Sequence, residues 1–86
     1  MSKPSSVVRE FPRVEPTQAV VVYLHKTLGC VLTTSGEIFK GGEDPVHVIC
    51  SGVAEAHQHA RDIVARMPHV ICAIYDSTGK EIEYVG

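Results

Sequence analysis

The chain has 86 residues, 44% of them hydrophobic and 21% charged, with a formal net charge of −2 at pH 7. That length supports one small domain with a modest core. There is no basic stripe, Trp is absent, and Phe and Tyr are scattered, so a nucleic-acid partner is not expected.

Residues 1–18 read as a flexible N-terminal arm. Pro4, Pro12 and Pro16 oppose regular pairing, while Val7, Val8 and Phe11 offer apolar surface that can dock on the body. This stretch carries three basic and two acidic residues, so the remainder has a net charge of −3. It contains no apolar signal-peptide segment, and the uninterrupted apolar run Ala19 to Leu24, which no other run in the chain exceeds, is too short to cross a bilayer. A cytoplasmic location without membrane association is the expectation. Three cysteines without C-x-x-C spacing agree with it.

From Ala19 to Gly86 a single α+β domain is expected. AVVVYLH is β-branched and aromatic and predicts a strand. LGCVLTT, residues 28–34, predicts a second, and Glu37 to Lys40 a short third after a Ser35-Gly36 turn. Gly41 to Pro45 is the clearest loop. Val46 to Cys50 reads as the next strand. Ser51 then caps a helix over 52–67, whose apolar positions are Val53, Ala56, Ala60, Ile63, Val64 and Met67. Pro68 ends it. His69 to Tyr75 and Lys80 to Val85 form a final pair of strands around the turn Asp76 to Gly79. The order is β-β-(β)-β-α-β-β, a four- or five-stranded sheet with one helix on one face.

The tetrapeptide HVIC occurs twice, at 47–50 and 69–72, and two His with two Cys are what a zinc site requires. Strand alternation argues against it. Residues three apart point to opposite faces, so His47 and Cys50 cannot hold one ion, nor can His69 and Cys72. Pairing like with like across strands gives only two ligands, and His57 and His59 sit about 200° apart on a helix. No metal and no cofactor is expected, and the repeat reads as two interior strands.

Those strands are apolar on both faces, and one helix covers only one. The second face therefore needs another cover, and a homodimer or protein partner is expected there. Val21, Tyr23, His47, Ile49, Ile71, Ala73 and Tyr75 are the candidate interface residues.

Candidate ligand-binding residues are His57, at the edge of the helical stripe, and Ser51 and Gly52, where a strand opens into a helix whose N–H groups attract anions. Glu43 and Asp44 complete the set as adjacent loop carboxylates. Each has a plainer account in boundary packing, capping or solvation. His59, among polar residues, reads as solvated. Asp76-Ser77-Thr78-Gly79 resembles the D-T-G or D-S-G triplet of aspartic proteases, but its extra residue breaks the spacing and a turn explains it better. Cys30, Cys50 and Cys72 lie among Val, Ile and Leu and read as inert.

Asp76, Gly79, Ile82 and Gly86, following the helix, resemble a family of small bacterial domains of unknown function. Those domains combine β-strands, one helix and a C-terminal hairpin carrying D-x-x-G-x-I before a terminal Gly. Here Glu81 is an additional residue. The resemblance covers about 35 residues and implies a fold without an activity. The reading is thus a small non-catalytic interaction module that self-associates through an apolar sheet face. The alternative is a small-molecule-binding or enzymatic domain with a pocket near residues 41–57.

Overall fold

The computed structural model describes residues 14–41 and 45–86. Most of the N-terminal arm, together with Glu43 and Asp44, lies outside the described residues. Within them the chain is α+β, with one helix on a five-stranded antiparallel sheet. The strands are β1 (Ala19–His25), β2 (Val31–Leu32), β3 (Val48–Cys50), β4 (Val70–Tyr75) and β5 (Glu81–Val85), and the helix is α1 (Val53–Arg66).

The sheet is organised around β1. On one edge it receives β3 against residues 19–21 and β2 against residues 23–24. On the other edge it pairs with β4 from Val20↔Tyr75 to His25↔Val70, and β5 lies outside β4. Since β3 and β4 both run antiparallel to β1, they run parallel to each other with β1 between them. The two HVIC segments are therefore not neighbours. Two strand spacings, roughly 10 Å, separate them, and their cysteines sit at different levels, Cys50 beside Ala19 and Cys72 beside Tyr23. The like-with-like pairing considered from the sequence has no geometric basis.

α1 buries Ala56, Ala60 and Ile63, with Val64 and Met67 partly buried, on Ala19, Val21, Tyr23, Cys50, Cys72 and Ile74. Two alanines in the stripe let the helix backbone come close to the strands: the Cys72 thiol lies 3.9 Å from the carbonyl oxygen of Ala60. Val53, expected in the stripe, is exposed at the first turn. The N-cap is Gly52, without a side-chain cap, rather than Ser51. Instead the Glu55 carboxylate reaches back to accept the Ser51 N–H, one half of a capping box shifted by a residue. That bond holds the Glu55 carboxyl below its usual range.

The second strand is shorter than its apolar pattern suggests. Thr33 N–H bonds Glu37 O at 2.7 Å and Thr34 N–H bonds Pro45 O at 3.0 Å, so the loop takes the donors that would have extended the ladder. The strand expected over residues 37–40 shrinks to a single bridge between Leu32 and Ile38.

The β4–β5 hairpin is built by Asp76 and Gly79. Gly79 adopts φ +86°, open to glycine at little cost. Asp76 Oδ1 accepts the N–H of Thr78 at 2.9 Å, its hydroxyl at 2.6 Å and the N–H of Lys80 at 3.0 Å. Those bonds, the Thr78 hydroxyl first, depress the Asp76 pKa. A depressed carboxyl stabilises the fold above its unfolded pKa of about 3.9 and loses that contribution as pH falls through the lower folded value. Asp76→Ala should therefore lower the urea midpoint at pH 7. The gap between variant and parent should narrow in acid, and a pH-independent gap would show that the carboxylate charge is not the source.

Candidate functional site

Register decides which residues share a face. Val21 pairs with Ile74 and Tyr23 with Cys72, all beneath α1. Val21 and Tyr23 therefore leave the candidate interface: alternation divides each strand into two sets, and only cross-strand pairing matches sets between strands. The open face carries Val20, Val22 and Leu24 from β1, opposite Tyr75, Ala73 and Ile71 of β4. Ile49 of β3 joins beside Val20, and Tyr84 of β5 beside Ala73. His47 precedes β3 and is half-buried. Ile49, Ile71, Ala73 and Tyr75 keep their places on this face.

Its rim is exposed: Ile49 is 48% and Tyr84 54% exposed, and Ile82, at the β-bulge of the edge strand, is 44% exposed. A hydrogen bond to the Glu81 carboxylate raises the Tyr84 phenol above its ordinary value, so this ring is uncharged at neutral pH. Ile49 stands at one edge of the face and Tyr84 with Ile82 at the other, with the buried Val20, Val22 and Ala73 between them; exposed large apolar side chains are a usual mark of an interaction surface.

The helix side of the sheet holds the remaining polar chemistry. His57 Nε2 lies 2.8 Å from Glu83 Oε1, tying α1 to β5. His59 Nε2 lies 2.7 Å from the Tyr23 hydroxyl, with the two rings stacked at 6.0 Å. The expectation of a solvated His59 is thus overturned. The 200° between the two histidines places them on opposite flanks of the stripe, and each flank is fastened to a different strand. Both partners are far away in sequence.

Burial, with Cys72 and Cys50 nearby, pushes the Tyr23 phenol up to about 12. Burial alone pushes the Cys72 thiol up to about 11 and raises Cys50 as well, where Glu55 adds to the effect. Phenol and thiols are protonated at neutral pH, the inert form for nucleophilic attack. A maleimide should therefore label the half-buried Cys30 of the native protein quickly, and Cys50 and Cys72 only on unfolding. Rapid native labelling of Cys72 would contradict the packing.

The strand-to-helix junction is likewise occupied. The Ser51 N–H, which an anion would seek, already bonds the Glu55 carboxylate. At the far end of the sheet the His25 and His69 rings lie 5.8 Å apart, tilted by 54° to each other. His25 Nδ1 accepts the N–H groups of Thr27 and Leu28, and His69 Nε2 lies 3.2 Å from Gly36 O. Each ring thus has one nitrogen committed to the backbone. Among the described residues no three His, Cys, Asp or Glu side chains gather in a metal-binding group. No described helix is long and apolar enough to cross a membrane. Compared with family models, curated proteins and solved structures, the chain matches none.

Proposed function

We propose that the chain is a non-catalytic interaction module that self-associates through the sheet face away from α1. The observation that carries this reading is the exposed apolar rim, Ile49, Tyr84 and Ile82, around a face of Val, Leu, Ala and Tyr side chains. Covering such a rim with a second copy is a common way of removing it from water, and two-fold symmetry lets one patch serve both partners. The protonated Tyr23 and Cys72 and the occupied helix start weigh against the enzymatic alternative.

Sedimentation equilibrium of the full chain tests the proposal. Molar mass should rise with concentration from the 9.3 kDa of one chain toward twice that value. The double substitution Ile82→Lys and Tyr84→Lys should return it to the single-chain mass with the thermal midpoint little changed. A single-chain mass at high micromolar concentration would overturn it.

A further inference from the structure

The backbone N–H groups of residues 25–29 turn the chain out of β1, and each has an acceptor. His25 N–H bonds Cys30 O at 2.8 Å and Lys26 N–H bonds His69 O at 2.7 Å. The other three end on His25 itself. Its carbonyl accepts Gly29 N–H at 2.8 Å, and its ring Nδ1 accepts Thr27 N–H at 3.2 Å and Leu28 N–H at 3.0 Å. Asn and Asp side chains commonly close turns in this way. Histidine differs from Asn in that role, because a proton abolishes its acceptor.

A backbone N–H only donates, so Nδ1 carries a lone pair and the neutral ring holds its proton on Nε2. Imidazolium has N–H at both positions and accepts nothing. Both turn bonds are therefore conditional on the neutral ring. His69, whose Nε2 lies 3.2 Å from Gly36 O, can donate there in either charge state. The charged neighbours act in the same direction. Lys26 is in the turn, the His69 ring is 5.8 Å away, and Arg66 in the last turn of α1 acts on Tyr23, two residues along the same face of β1. Cys30 lies across from His25, and Glu37 follows Gly36 in the loop beside His69. Among the described residues no carboxylate pairs with either ring.

We infer that His25 is a proton-sensitive latch on the turn 26–29, closed while its ring is neutral and opened when Nδ1 takes up a proton. Both bonds are at the surface, so water receives the freed N–H groups and the sheet stays folded. What changes is the order of the turn and of Leu28, 65% exposed within it. The latch lies at the end of the sheet and needs nothing of the proposed self-association.

Nuclear magnetic resonance of the full chain, titrated from about pH 8 to about pH 5 where histidine ordinarily changes charge, tests it. At the alkaline end the His25 ring should carry its proton on Nε2 alone. As the ring protonates, the Thr27 and Leu28 amide resonances should move with the same midpoint. The control is His25→Asn, whose side-chain oxygen accepts from the turn at every pH. In that variant both amides should hold their positions while the His69 ring still titrates. At about pH 5 their exchange with water should be several-fold faster in the parent than in the variant, a comparison at one pH that cancels the intrinsic catalysis. A His25 ring neutral throughout, amides that ignore its protonation, or equal movement in His25→Asn would each overturn the inference.

Discussion

Ile74→Ala is expected to destabilise the fold by about 2–5 kcal/mol, the cost of emptying a buried branched side chain's site. Ile74 is 0% exposed, pairs with Val21 on one side and Glu83 on the other, and lies in the cluster beneath α1. Both neighbouring strands are fixed by ladders, so the site has little freedom to collapse and the upper half of the range is the expectation. At roughly 0.05–0.15 kcal/mol per residue, a domain of this size has only about 4–13 kcal/mol in hand. The variant should therefore show a sharply lowered urea midpoint and, at the lower end of that stability, a visible unfolded population in water. Ile82→Ala, at an exposed edge position, is the matched comparison and should change the midpoint little in the monomer. Equal effects from the two would mean that the core is not where the structure places it.

Gly36→Ala should cost about 2 kcal/mol, from two separable sources. Gly36 holds φ +91°, where a residue with Cβ pays about 1–2 kcal/mol. A Cβ there would also stand 2.7 Å from Met67 Sδ and 3.9 Å from His69 Nε2. The sulfur belongs to a flexible side chain and can move, but moving it disturbs packing at the C-terminal end of α1. A double-mutant cycle with Met67→Ala divides the cost. Relief of the collision should recover part of it, and the backbone part should remain. Gly36→Ala that is neutral in denaturant titrations would be incompatible with the loop conformation.

Periodicity was sufficient for the helix because Ala56, Ala60 and Ile63 recur on one side of a 3.6-residue turn. The same rule could have found His59, three residues after Ala56 and four before Ile63, at the flank of that stripe. The polar type of the residue hid the signal. The assignment of faces was less legible. With Val20, Val21 and Val22 in a row, both faces of β1 look alike, and nothing local says that Val21 rather than Val20 shares a side with Cys72 and Ile74. That information is in the pairing of β1 with β4, a non-local property. Strand lengths failed for another reason: the Thr33 and Thr34 donors were claimed by Glu37 and Pro45, partners that β-propensity does not count. The HVIC repeat is legible as strand material, but its spatial meaning depends on β1 lying between the copies.

That placement of β1 also affects how the chain is made. Among the described strands the central one is synthesised first, yet Val21 meets Ile74 only after 53 more residues have been added. Its other edge finds β2 almost at once, through a short local turn. During synthesis a half-satisfied, valine-rich strand therefore waits for its principal partner, with one row of backbone donors and acceptors unfilled. Such an edge can pair with the wrong chain. The hazard for this protein lies in the nascent and refolding chain, where ribosome-bound or chaperone-held intermediates ending before residue 70 should be the aggregation-prone species.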